Sequence, residues 1–235
     1  MLLYFGSFTM LPAVAELMCD VDHRDPPVFV SRGGIKLHNA LTACDLDVSC
    51  RRALDVGAST GGFTDCLLQR DATSVIAVDV GYGQLDWGLR NDPRVHVLER
   101  TNARTLTPTM LPYTPDLVTI DVSFISLAKV LPAVLGCLGA RYDVLALVKP
   151  QFEVGRELAS RGRGVVRDPA DRRSALVSVG EAALGLGASV LGYRYSGLPG
   201  PKGNRETFVH LAEPARAGGA ADAGKIEEMA RRVEP

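Results

Sequence analysis

Ala53 to Phe63 reads ALDVGASTGGF: a short apolar run, an acidic residue, then a glycine-rich turn. Residues 53–56 have the length and apolar character of a buried parallel strand bounded by glycine. Gly57, Gly61 and Gly62 are expected to turn the backbone tightly and to bring it close to a ligand, because no Cβ intervenes. A helix is expected to open at residues 62–63. A strand, a glycine-rich turn and a helix in succession place a ligand beyond the strand's carboxyl end, at the helix N-terminus. The spacing GASTGG is not G-x-G-x-x-G, since Ser59 stands where the second glycine would be, and no Lys-Ser/Thr pair follows. Neither the dinucleotide pattern nor the phosphate-loop pattern is met. The next strand, Ser74 to Val80 (SVIAVDV), carries Asp79 near its end. A carboxylate there suits a ribose diol, because it accepts from both hydroxyls. D-V-G-x-x-x-G-G-F followed by an acid on strand two is the arrangement expected of a site for S-adenosylmethionine (SAM).

Outward from this stretch, strands and helices alternate. Strands are expected at 53–56, 74–80, 94–98, 116–121, 142–148, 189–196 and 206–212, and helices at 62–70, 83–90, 124–138 and 170–186. Such alternation predicts an α/β fold with a mostly parallel sheet covered on both faces. The last two strands have no helix between them and predict an antiparallel hairpin at one edge. Ahead of the first strand, Ser31 to Leu46 (SRGGIKLHNALTACDL) reads as a loop entering an amphipathic helix, with Lys36 in its early turns. Residues 213–235 read as a frayed tail or a short surface helix near 222–232. Residues 1–29 are an apolar, aromatic segment followed by the charged, proline-ended linker DVDHRDPP, read as a packing arm or a substrate lid. The domain organisation expected is therefore an arm (1–29), one catalytic domain (30–212) and a tail (213–235).

The 235 residues are 46% hydrophobic and 23% charged, the balance of a globular domain with one good core. No apolar run approaches the roughly 20 residues a membrane helix needs. Five cysteines, Cys19, Cys44, Cys50, Cys66 and Cys137, are scattered without C-x-x-C or a Cys/His cluster. That fits a reducing, cytoplasmic setting and argues against a metal site. The net charge of −1 supplies no global basic footprint for nucleic acid.

The chemistry falls at strand ends. Asp121 closes the strand 116–121, and Lys149 follows the strand 142–148. In open α/β sheets ligands bind beyond the carboxyl ends, so Asp55, Asp79, Asp121 and Lys149 should converge on one crevice. Glu206, opening the last strand, should reach the same edge from the antiparallel direction. A lysine among carboxylates and a second lysine is a device for setting proton affinity: a neighbouring cation and burial lower a lysine's pKa, and carboxylates raise it. A neutral lysine takes a proton from a hydroxyl, as general-base catalysis requires.

These stretches, SRGGIKL, LDVGASTGGFTD, DVGYGQLDWGLRNDPRV, LERTNAR, DVSFISL, LVKPQFE and LPGPKGNRETF, resemble the TlyA (haemolysin-A-like) branch of the FtsJ-type RNA ribose 2′-O-methyltransferases. The resemblance runs from about Val30 to Leu211. It implies a Rossmann-like class I SAM-dependent methyltransferase with a seven-stranded, mostly parallel sheet. The family's Lys-Asp-Lys-Glu tetrad would fall on Lys36, Asp121, Lys149 and Glu206, with Lys149 the central base or hydroxyl-orienting residue. The SAM site would take in Asp55, Gly57, Ser59, Thr60, Gly61, Phe63, Asp79, Val80, Thr101 and Asn102. Arg100 and Arg104 would meet phosphates, and Phe124 would either stack on a base or pack in the core. The family's small N-terminal RNA-binding domain is not matched by residues 1–29. Two acceptors therefore stay open: structured RNA of a ribosomal subunit, docked through the catalytic domain alone, or a small molecule of specialised metabolism methylated on a hydroxyl, nitrogen or electron-rich ring carbon. A pore-forming role, suggested by the old haemolysin name, is discounted because nothing in the chain spans or coats a bilayer.

Overall fold

The protein, a computed structural model, is described over residues 28–155, 158, 162–220 and 222–234, so the arm expected over 1–29 lies almost wholly outside the described residues. Seven strands form one sheet: β1 (Arg52–Val56), β2 (Ser74–Val78), β3 (Val95–Leu98), β4 (Leu117–Ile120), β5 (Asp143–Val148), β6 (Ser189–Tyr195) and β7 (Thr207–Ala212). Their order is β3-β2-β1-β4-β5-β7-β6. Pairings from β3 through β5 are parallel, and β7 runs antiparallel between β5 and β6. The expected edge hairpin is thus present, with its second strand inserted beside β5. From β1 the chain goes to β2 and β3 on one side, then returns to β4 and β5 on the other, so a switch point opens between β1 and β4.

Alternation along each strand sends side chains to two apolar layers. On one face Leu54, Val56, Ile76, Val118, Ile120 and Val144 pack against α4 (Leu131–Leu135) and α6 (Pro169–Gly185), which follows the one-turn helix α5 (Pro150–Glu153). On the other, Ala53, Val75, Leu117, Leu145 and Phe208 pack against α1 (Arg32–Ala43) and α2 (Gly62–Gln69). Ser31 caps α1 by accepting from the Gly33 N–H, and Asp168 caps α6 ahead of Pro169.

Two expected helices are shorter than read. The helix expected over 83–90 is α3 (Trp87–Arg90), because Asp86 accepts from the Gly88 and Leu89 N–H groups and fixes the start there. The helix expected over 124–138 is a 3₁₀ turn at Leu127–Lys129 followed by α4; Phe124 is left-handed (φ 64°) and Pro132 sits in the first turn of α4. Beyond β7, α7 (Ala223–Arg231) buries Ile226 and Ala230 in the first apolar layer. Glu234 follows it, 2% exposed, and pairs with Arg172 (2.8 Å) and Arg205 (2.7 Å).

Removing a buried partner strands the charges it neutralised. Glu234→Ala is therefore expected to lower unfolding free energy by about 3 kcal/mol, read as a lower urea midpoint at an unchanged slope.

Candidate active site

The turn after β1 is shaped by contacts within the protein. At Gly57 (φ 85°) a Cβ would lie 2.6 Å from the Asp121 carbonyl oxygen. At Gly61 (φ 97°) it would run into Leu85 and Leu89 beside α3, and at Gly62 into the Ser31 hydroxyl and Gly34 of α1. Their missing Cβ atoms let the expected tight turn seat against β4, α3 and α1, and Gly57 and Gly62 also line the crevice at the switch point.

Asp79 stands just past β2, half-buried, and ties this turn down. Its Oδ2 accepts from the Ser59 N–H (2.8 Å) and its Oδ1 from the Gly81 N–H (2.6 Å). Asp55 does not join it at the crevice, contrary to expectation. Asp55 is 0% exposed, on the α2 face of β1, where Thr64 and Thr119 hydroxyls donate to its two oxygens at 2.7 and 3.0 Å. Burial pushes its carboxyl up to about 7 against the pull of those hydroxyls. Its place is beneath the turn, as a support.

A crevice of about 360 Å³ opens at the switch point. Lys36 and Arg32 of α1, the turn residues Gly57 to Thr60, Phe63, Asp121 and Pro201 line it. Lys36 is 8% exposed and meets Glu206, 1% exposed, at 2.5 Å. Thr207 pairs with Val148 across β5 and β7, so Glu206 and Lys149 leave the sheet side by side. The Lys149 ammonium lies 2.6 Å from Asp121 Oδ1 and donates to the Ser123 hydroxyl at 2.8 Å. Two lysine–carboxylate pairs thus occupy one edge of the sheet.

Other expected residues surround the Asp79 side. Thr101 donates its N–H to the Asp79 carbonyl (2.9 Å), Val80 is exposed, and Asn102 caps a short 3₁₀ turn by accepting from the Arg104 N–H. Arg104 is exposed, and the Arg100 guanidinium stacks 4.3 Å from the Tyr82 ring centroid. Phe124 is 91% exposed, which excludes the core-packing alternative; its ring centroid is 5.1 Å from that of Phe152. Ser31, Arg32, Gly33, Pro201 and Ser123 were not singled out by sequence reasoning. All lie inside stretches that carry the resemblance, but a lone hydroxyl, a glycine or a helix-start arginine has no chemical signature of its own. Among the described residues there is no cluster of side chains able to hold a metal ion.

Comparison with known proteins gives a family model described as FtsJ-like methyltransferase, matching residues 29–213. The chain is 56% identical over 183 residues to a 16S/23S rRNA (cytidine-2′-O)-methyltransferase of Mycobacterium tuberculosis, covering 78% of this chain and 68% of that protein. It is 44% identical over 211 residues to a Bacillus subtilis protein named as a candidate rRNA methyltransferase, covering 89% and 74%. A solved structure from Streptococcus thermophilus, titled as a candidate hemolysin, superposes with a TM-score of 0.81 at 42% identity, covering 88% and 75%.

The buried Asp55 carboxyl gives a pH signature. Its folded value, about 7, lies above its ordinary 3.8, so the stability tied to its neutral form is full below about pH 4 and is lost as pH rises through 7. Asp55→Asn removes this dependence while keeping groups that bond both threonines. Unfolding free energies from urea titrations at pH 5 and pH 8 are expected to fall further in the wild type than in Asp55→Asn.

Proposed function

The chain belongs to the FtsJ-like methyltransferase family and is a SAM-dependent methyltransferase, and on that premise we propose that its acceptor is a ribose 2′-hydroxyl of structured RNA, rRNA in particular. The observation that carries this reading is the pair of ion pairs at the switch-point crevice, Lys36–Glu206 and Lys149–Asp121. A ribose hydroxyl is a weak nucleophile, and a lysine at its proton is what the chemistry asks for.

The residues present fit SAM. Each Asp79 oxygen accepts one backbone N–H and keeps a second lone pair for a ribose hydroxyl. Ser59 and Thr60 are exposed beside it, and the crevice volume is that of a small-molecule site. Gly57, Gly61 and Phe63 shape the turn; Val80, Thr101 and Asn102 complete the rim next to Asp79. SAM supplies a methyl group on a sulfonium, whose sulfur leaves as a neutral thioether. The protein's share is alignment and proton transfer. Lys149 in its neutral form accepts the hydroxyl proton as the ribose oxygen takes the methyl group. Asp121 holds Lys149 at the edge, and the Lys36–Glu206 pair fixes the neighbouring wall. Arg100, Arg104 and the exposed Phe124 ring face outward where RNA phosphates and a base would arrive.

A small-molecule acceptor is not favoured, because the relatives whose names state an acceptor are rRNA methyltransferases. Among the described residues no helix is long and apolar enough to cross a membrane.

With radiolabelled SAM and purified ribosomal subunits, label is expected in rRNA at a position that resists alkaline cleavage. Lys149→Ala is expected to lower that transfer by about 10²–10⁴-fold, the contribution of a general base, with SAM affinity unchanged by calorimetry; full activity in this variant would contradict the reading. Asp79→Ala is expected to weaken SAM binding about tenfold or more, since hydrogen bonds to a charged group are each worth about 1.5–3 kcal/mol.

A further inference from the structure

We propose that Ser123 is a positioning residue that aims the Lys149 amine at the acceptor hydroxyl, an assignment that rests on the methyl-transfer reading above. The lysine stem has four rotatable carbons, and the ion pair with Asp121 does not by itself direct the amine. Asp121 Oδ1 lies 2.6 Å from the Lys149 nitrogen, yet off the line of a hydrogen bond. The attraction there is Coulombic and weakly directional. The directed bond of Lys149 goes to the Ser123 hydroxyl, at 2.8 Å.

The loop carrying Ser123 is fastened to the helix that Lys149 opens. Phe124 rests against Phe152 of α5, and the Leu127 N–H donates to Glu153 Oε1 at 2.9 Å. Burial raises the pKa of Glu153, and the Leu127 N–H and Ser126 hydroxyl oppose that rise. Phe124 itself is left-handed (φ 64°) while 91% exposed, a conformation that a bulky residue keeps only when its neighbours impose it. Ser123, Phe124 and Leu127 are therefore matched to Lys149, Phe152 and Glu153 along one short helix. This arrangement fixes the loop backbone that carries Ser123 relative to Lys149.

The geometry assigns the four positions about the Lys149 nitrogen. In the neutral amine one is Cε, one N–H is given to Ser123 and the other faces Asp121. The remaining position is the lone pair. The ribose O–H gives its proton to that lone pair; the oxygen's electrons form the bond to the methyl carbon, and the carbon–sulfur pair stays on sulfur. Lys149 ends as an ammonium, still bonded to Ser123, and loses its proton to solvent. Without the Ser123 acceptor the amine rotates, and a small misalignment at the reacting atom costs much of the rate.

Ser123 is exposed, so its substitution leaves the core untouched. In the rRNA transfer assay, Ser123→Ala is expected to lower kcat at least tenfold with KM for RNA and SAM affinity within twofold, and Ser123→Thr, which keeps the hydroxyl, is expected to recover most of the loss. Wild-type kcat in Ser123→Ala, a loss confined to KM, or a Thr variant no better than Ala would overturn the assignment. Failure of the RNA reading looks different: the wild type would leave rRNA unlabelled, or Lys149→Ala would retain full transfer. Side-chain NMR of ¹⁵N-lysine protein reads the contact without any acceptor. The Lys149 resonance, identified by its absence in Lys149→Ala, is expected to exchange its N–H hydrogens at least fivefold faster in Ser123→Ala, and unchanged exchange would refute the hydrogen bond.

Discussion

The crevice exists because β1 and β4 run side by side up to Gly57 and Asp121 and then part. Gly57 must lack a Cβ, since one would stand 2.6 Å from the Asp121 carbonyl. That approach lets the Asp121 N–H reach the Val56 carbonyl at 2.9 Å, one residue past the strand, so the carboxylate leaves the sheet at a fixed height. Parallel register sets Ile120 against both Val56 and Ala146, and antiparallel register sets Thr207 against Val148. Asp121, Lys149 and Glu206 therefore inherit their places from hydrogen bonds of largely buried strands. A sheet interior does not shift by fractions of an ångström without repacking both apolar layers. The charged groups at its edge are thus held more firmly than their exposure suggests.

The buried charges divide by location. At the opposite end of β5, Asp143 takes Arg51, His210 and Arg216, which hold its carboxyl below the usual range despite burial. Behind Pro150, Glu234 takes Arg172 and Arg205. Each of these acids has more than one cation partner, a saturated arrangement suited to holding chain segments together. At the crevice each lysine has one carboxylate. Buried one-to-one pairs are weak contributors to stability, because desolvation offsets most of the attraction. Their presence at the strand ends is better explained by the proton and acceptor they handle than by folding.

The alternation of apolar runs and turns made the sheet legible: each of the seven strands lies within two residues of the boundaries read from the sequence. Convergence of Asp121, Lys149 and Glu206 was legible too, because strand ends in an α/β sheet share an edge. What was not legible depended on side-chain direction. Asp55 is one residue short of its strand end, and the strand's alternation turns it under α2 into the second apolar layer. The tight turn of the glycines was legible, but not that it closes on Asp121, Leu85 and Ser31, which are distant in sequence. Asp86 cut α3 short, and Phe124 and Pro132 broke the helix expected over 124–138; in each case a local cap or backbone strain overrode apolar periodicity. Ser123 lay beside Asp121 in plain view, but only the fold brings Lys149 to it across 26 residues.

The near-neutral net charge invites the inference that no polyanion is bound, and the arrangement of charges argues against drawing it. Net charge is a sum over the whole chain and does not say where the charges stand: Asp143, Glu213 and Glu234 are matched within the fold by Arg51, Arg172, Arg205 and Arg216, and none of these groups faces an incoming chain at the crevice. A polyanion at close range responds to local cations, since the Debye length at physiological salt is about 8 Å. Arg100 keeps its charge over an aromatic ring, and Arg104 projects into solvent near Asn102. Lys36 and Lys149 are neutralised by their own carboxylates, so a phosphate gains little beside those two lysines. The result is a set of exposed arginines that favours backbone phosphates beside two lysines that do not compete for them. That division suits an acceptor presented as a hydroxyl on a charged chain: the phosphates are drawn to the edge, and the sugar is what reaches the lysine.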